Sequence, residues 1–123
     1  MAIKSYSELE VWQLAMQTTK QIYKLVTKLP QEEMFALSNQ IRRAAVSIPS
    51  NIAEGFERGS NTEFIRFIRI AQGSRAELET QLHLCTLLEY LSTNDIEQPL
   101  QSLASIGRML NSLIKALNNK TNK

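Results

Sequence analysis

Between Phe64 and Leu88 the chain sets Phe64, Phe67, Ala71, Ser74, Leu78, Gln81, Cys85 and Leu88 at alternating steps of three and four residues. That spacing keeps every one of these side chains on a single face of an α-helix and scatters them over both faces of a strand. The same period recurs on either side. Leu9, Trp12, Met16, Tyr23 and Val26 carry it in the first segment, with Thr19 in the missing position; Met34, Leu37, Ile41, Ala45, Ile48, Ile52 and Phe56 carry it in the second. Leu100, Leu103, Ile106, Leu110, Leu113 and Leu117 carry it in the last. Four helix-length stripes without a period-two segment exclude most α/β architectures and predict an all-α fold, a four-helix bundle.

Local signals divide the stripes. Ser7 with Glu10 reads as a capping box for the first helix, and Pro30 ends it. Glu32 and Glu33 stand where the helix dipole favours negative charge at the start of the second. Pro49 lies inside that helix, lacks the N–H that would bond to the carbonyl of Ala45, and predicts a kink because the periodicity resumes in phase. Gly59 is a stop, Ser60 with Glu63 a second capping box, and Ser92-Thr93-Asn94-Asp95 a break before the last helix, which tolerates Pro99 near its start. The predicted helices span about residues 7–29, 32–59, 61–91 and 95–117, with a frayed Asn/Lys-rich tail at 118–123. Short turns make neighbours antiparallel, so the expected topology is up-down-up-down.

With 123 residues, 43% of them hydrophobic, and no polar linker, the expectation is one domain over 1–123. Met1 to Ser7 lacks the apolar stretch of a signal peptide, and no apolar run approaches the ~20 residues that span a bilayer. A cytoplasmic, membrane-free location follows as the expectation, and the lone Cys85, set among apolar residues, fits a reducing compartment.

Catalysis finds little support. The only histidine, His83, and Cys85 are two residues apart and so do not share a helix face. The nearest carboxylate pairs, Glu77 with Glu79 and Glu8 with Glu10, have the same spacing, so neither a metal site nor a cofactor is expected, and the reading is of a protein that is not an enzyme.

Charge is more informative. Every arginine except Arg108 falls between Gln40 and Arg75, where Arg42, Arg43, Arg58, Arg66, Arg69 and Arg75 face only Glu54, Glu57 and Glu63. The planar guanidinium fork suits phosphate or carboxylate oxygens in a way that an ammonium does not. Two readings stand side by side. In one, the arginines pair with acids of this chain or of a neighbouring subunit; in the other, they neutralise RNA phosphates. Tyr6, Trp12 and Tyr23 read as core residues, which argues against a platform for stacking bases.

The central run Gln40-Ile41-Arg42-Arg43-Ala44-Ala45-Val46-Ser47-Ile48-Pro49-Ser50-Asn51-Ile52-Ala53-Glu54-Gly55 resembles the signature of the four-helix-bundle proteins encoded in intervening sequences of bacterial 23S rRNA genes. The resemblance extends through Leu9-Glu10-Val11-Trp12 and Ile22-Tyr23 before it, and Glu63-Phe64, Arg66-Phe67, Ala71-Gln72-Gly73-Ser74 and Glu77-Leu78-Glu79-Thr80-Gln81-Leu82 after it. The chain departs from the family's pattern at Phe35-Ala36, where an aromatic followed by glycine is usual, and at Arg75, where an apolar residue is common. The resemblance implies a left-handed bundle that assembles into a ring, usually a homopentamer, without enzymatic activity and with a proposed role in binding RNA; an oligomeric adaptor for a protein partner is the alternative. On that basis the nucleic-acid candidates are the six arginines from Arg42 to Arg75. Asn51, Glu54, Ile65 and Ile68 are the candidates for the subunit interface, the two isoleucines because they flank the stripe of the third helix. Ala44, Ala45, Ala53, Gly55, Gly73 and Ser74 are small enough to let the second and third helices approach closely.

Overall fold

The computed structural model describes residues 3–121, and no described residue lies in a strand. Four helices make up the fold: α1 (Glu10–Val26), α2 (Leu37–Glu57), α3 (Asn61–Leu87) and α4 (Thr93–Thr121). Each packs against the next and α4 closes on α1, while α1 with α3 and α2 with α4 make no comparable contact, the arrangement of a four-helix bundle. Ser47 meets Ser74 and Gly55 meets Phe67, so α2 and α3 run in opposite directions. Gln72 meets Gly107 and Asn61 meets Leu117, which makes α3 and α4 antiparallel in turn.

The helix starts differ from those predicted. Ser5, not Ser7, forms the first capping box: its hydroxyl accepts from Ser7 N while the carboxylate of Glu8 accepts from Ser5 N at 2.9 Å, opening a 3-10 turn at Tyr6–Glu8. α1 follows from Glu10 with Leu9 as an N-cap that supplies no side-chain acceptor. Gln31–Glu33 form a second 3-10 turn rather than the first turn of α2. Glu33 still serves that helix, since its carboxylate accepts from Leu37 N at 3.3 Å while also receiving the Tyr90 hydroxyl at 2.8 Å. Ser60 caps α3 by accepting from Glu63 N, but the carboxylate of Glu63 receives Arg66 rather than Ser60 N, so only half of the predicted box forms. Ser92 and Asp95 satisfy each other's backbone N–H groups, the reciprocal box that starts α4.

The helix ends also move: α1 stops at Val26 and α2 at Glu57, short of the predicted 29 and 59, and the other two shift further. α3 stops at Leu87, before the predicted residue 91, because Glu89 adopts a left-handed φ of 63° and Tyr90 N and Leu91 N fold back onto Cys85 O. This is a C-cap of the kind glycine usually makes, so no glycine announces it in the sequence. α4 runs on through residues 118–121 of the predicted frayed tail, since Asn118, Asn119 and Lys120 include no residue that breaks a helix; residues 122 and 123 lie outside the described residues.

The core corrects the first stripe. Val11, Ala15, Thr18, Ile22 and Val26 are the buried face of α1, whereas Met16 and Tyr23 are exposed at 44% and 45%. The apolar pattern of α1 is wider than its buried face, and the smaller side chains took the seam where two neighbouring helices come close. Tyr6 and Trp12 are half-buried and meet edge to face at 5.4 Å. On the α2–α3 seam, Ala44, Ala45, Gly55 and Ser74 are buried as their size predicts, but Gly73 is exposed with open space where a Cβ would stand, so it plays no part in the approach.

Candidate nucleic-acid interface

The six arginines separate into distinct settings. Arg58 and Arg66 sit at the α2–α3 turn, both over the ring of Phe67 at 4.8 and 4.7 Å from its centroid. Arg58 pairs with Glu54 at 2.9 Å, and Arg66 grips Glu63 with two nitrogens at 3.1 and 3.2 Å. The hydrogen bond from Arg66 lowers the pKa of Glu63, and the same bond raises that of Arg66. This is an exposed, internally neutralised cluster whose cations already cover an aromatic face.

Arg75 is spent on the α3–α4 seam. Its guanidinium donates to Gln72 Oε1 and Glu79 Oε2, each at 2.7 Å, and lies flat against Gly107, where an added Cβ would fall 2.8 Å from Nε. Gln72 completes the tie by donating to Gly107 O and Asn111 Oδ1, both at 2.9 Å. Arg69 is exposed on α3 without an ion pair, and the structure does not bring it into the groove of Arg42 and Arg43.

Like Arg69, Arg42 and Arg43 have no carboxylate partner among the described residues, but these two stand together in one groove. Arg42 donates to Met34 O at 3.2 Å; Arg43 is exposed and makes no ion pair. With Tyr23, Asn39, Val46 and Ser47 they line a groove of about 350 Å³ between α1 and α2, and Tyr23 and Arg42 carry it into a second groove of about 420 Å³ toward Met34. The placement of Tyr23 follows from the burial of Ile22: one residue further on is about 100° round the helix, which turns the ring from the core toward α2.

Lys20, Lys24 and Lys28 lie on α1 or just beyond its end, and no acid occurs between Val11 and Leu29 or between Met34 and Ala53. Among the described residues, Lys28 alone of the five cations in these two stretches has a carboxylate partner, Asp95 at 2.8 Å. Counting charge along contiguous residues missed this face. The absence of acids from both segments was the available signal.

The interface candidates also fall into different settings. Asn51 is half-buried and donates to Ser47 O and Ser47 Oγ at 2.8 Å, so its amide serves α2 itself, and Glu54 is the exposed partner of Arg58. Ile65 is partly buried against the core. Ile68 is 0% exposed within the single chain and supplies no surplus surface, which corrects that expectation: α3 is packed by both α2 and α4, so its buried sector is wider than one stripe. The apolar surface that α3 does leave open is Ile70, Leu84, Leu87 and Leu88, with Leu87 the most exposed at 78%.

His83 and Cys85 do not meet as a reactive pair. His83 is exposed beside Leu84 and Leu87, whereas Cys85 is fully buried, and burial with the nearby Glu33 carboxylate pushes its thiol up to about 11. Among the described residues no group of three or more His, Cys, Asp or Glu side chains could hold a metal ion, and no helix is long and apolar enough to cross a membrane.

Four helices in a closed cycle around a mostly aliphatic core, with charge arranged on the surface, define a helical-bundle protein. The model of the 23S rRNA-intervening sequence protein family matches residues 7–112, and the chain belongs to that family. A crystal structure of a Bacteroides thetaiotaomicron protein of unknown function from the S23 ribosomal protein family superposes with a TM-score of 0.79 at 30% identity, covering 85% of this chain and 95% of that one. A comparison with curated protein sequences finds no match.

Proposed function

We propose that this chain is a non-enzymatic RNA-binding protein that acts in the cytoplasm as a ring of identical subunits, a homopentamer, with the α1–α2 face as its RNA surface. One observation carries the reading: among the described residues Arg42 and Arg43 have no carboxylate partner and stand on helix stretches without acids, Glu77 of α3 lining a separate groove beside Arg43, whereas Arg58, Arg66 and Arg75 are neutralised by Glu54, Glu63 and Glu79. Unpaired guanidinium groups are free to replace phosphate counterions, an interaction that weakens as salt rises. Repetition around a ring would multiply a modest charge per chain. The open leucines and isoleucine of α3 supply apolar area for subunit contacts, and Asn51, Glu54 and Ile65, toward the other end of the α2–α3 pair, are the further candidates.

The test is fluorescence anisotropy with labelled RNA across a salt series, each protein's mass being checked by light scattering. R42A/R43A should bind more weakly and lower the salt slope by about 1.4 to 1.8 for the two lost phosphate contacts. R58A/R66A should change binding less. Equal loss in both variants would remove the α1–α2 face from the reading, and no binding by the wild type at low salt would remove RNA altogether.

The exposed Leu84, Leu87 and Leu88 favour a second reading, an oligomeric adaptor that docks a protein partner on the end of α3. Purification with one stoichiometric protein and without nucleic acid, reversed by L84S/L87S, would support it.

A further inference from the structure

We infer that the α1–α2 groove takes single-stranded rather than duplex RNA, with one base stacked on the ring of Tyr23 and the flanking phosphates on Arg42 and Arg43. The inference rests on the RNA-binding reading of the same face and specifies its ligand.

Tyr23 is the observation behind it. The residue is 45% exposed, and its hydroxyl has no hydrogen-bond partner among the described residues, so the side chain is neither buried as core nor tied into a surface network. It shares its groove with two guanidinium groups and with Asn39, a half-buried amide that likewise makes no hydrogen bond among the described residues. Lys20 lies one helical turn before Tyr23 and is exposed on the same helix. An exposed aromatic face between cations, beside an unused amide, is the combination that holds a splayed nucleotide: the ring takes the base, the cations take the phosphates, and the amide can read a base edge. A duplex keeps its base faces stacked inward and would leave Tyr23 and Asn39 without a role. The apolar neighbour Val46, 39% exposed, extends the platform.

The experiment compares an unstructured RNA of about 20 nucleotides with the same strand annealed to its complement, by anisotropy in ~0.1 M salt. The proteins are wild type, Y23F, Y23L, Y23A and R42A/R43A. Wild type should prefer the single strand. Y23L and Y23A should each lose about tenfold or more in single-strand affinity, with duplex binding unchanged, while Y23F stays within about twofold of wild type. Y23L keeps apolar bulk without an aromatic face, so its loss separates stacking from general packing, and all variants should keep the wild-type mass. Preference for the duplex, or wild-type affinity in Y23L, overturns the inference; so does a fall in mass in Y23L or Y23A, which would make Tyr23 a subunit contact. If R42A/R43A loses binding while Y23A keeps it, stacking fails and the RNA-binding reading stands. If wild type binds neither RNA, both fall.

Discussion

The hydroxyl of Thr19 on α1 stands 3.2 Å from the carbonyl oxygen of Ala45 on α2, the acceptor left open because residue 49 is proline and has no N–H to offer. The same hydroxyl lies 2.8 Å from Ala15 O in its own helix, so a single proton is shared between the two helices. α2 continues through Pro49 to Glu57 with that carbonyl served from outside. Thr19 fills the apolar stripe of the sequence in a way its position alone does not explain: it replaces a backbone hydrogen bond.

Thr19→Val should therefore cost about 1 to 2 kcal/mol of unfolding free energy, the range for leaving a shielded acceptor unsatisfied. In a Pro49→Ala background the restored N–H can serve Ala45, and the same substitution should cost clearly less. Urea denaturation of the four proteins in a double-mutant cycle checks this, with a coupling of about 0.5 to 1 kcal/mol expected. Additive costs would mean that Thr19 does not compensate for the proline.

Two glycines in neighbouring helices should respond oppositely to alanine. At Gly55 a Cβ would fall 2.6 Å from the Cβ of Phe67 and 3.3 Å from Phe64 O, atoms that cannot move without moving α3, so Gly55→Ala should destabilise by about 1 to 3 kcal/mol. At Gly73 nothing lies within 4 Å, and Gly73→Ala should stabilise by about 0.5 to 1 kcal/mol through reduced chain entropy. Thermal denaturation of both variants tests the pair.

Glu89 holds the left-handed position that ends α3, at φ 63°. Glycine adopts this conformation without the clash of a Cβ, so Glu89→Gly should raise stability by about 0.5 to 1 kcal/mol, as read by urea denaturation. A loss would show that the Glu89 side chain contributes more than its backbone strain costs.

Acid should act through Asp95. The hydrogen bond from Lys28, then that from the Ser92 backbone, brings its pKa from the ordinary 3.8 to about 2. A folded pKa below the unfolded one means that the contribution is fully present above the unfolded value and is lost as pH falls through the folded one. The difference in Tm between wild type and Asp95→Asn should thus be steady from neutrality to about pH 4 and shrink toward about pH 2. A difference that persists at the acid end would assign the effect to the Ser92 cap geometry instead.

Cys85 should be inert while the chain is folded. Fully buried, with its thiol pushed up to about 11, it offers little thiolate near neutral pH. Labelling by a thiol reagent should be stoichiometric in denaturant, and in the native state should proceed only as fast as the protein opens. Rapid native labelling would show that the end of α3 opens independently of the core.

The amino-acid pattern by itself determined that the chain is all-helical, that it has four helices, and that Gly59 and Ser60 separate α2 from α3, because these follow from apolar periodicity and backbone preference acting over a few residues. The run from Gln40 to Gly55 likewise carried the family. Which apolar residues are core did not follow. Met16, Tyr23 and Leu88 share the periodicity of their buried neighbours, and only the choice of neighbouring helices leaves them open while closing over Ile68. The candidate site was half legible in the same sense. Arg58–Glu54, Arg66–Glu63 and Arg75–Glu79 are pairs three or four residues apart along one helix, so their neutralisation follows from the helix assignment alone, as does the lack of an acid at that spacing from Arg42 and Arg43. Tyr23 joined them only when α1 was laid against α2. Local sequence decides conformation and charge pairing over a turn or two; exposure, and the meeting of Tyr23 with Arg42 and Arg43, depend on distances between helices, and those exist only in the tertiary structure.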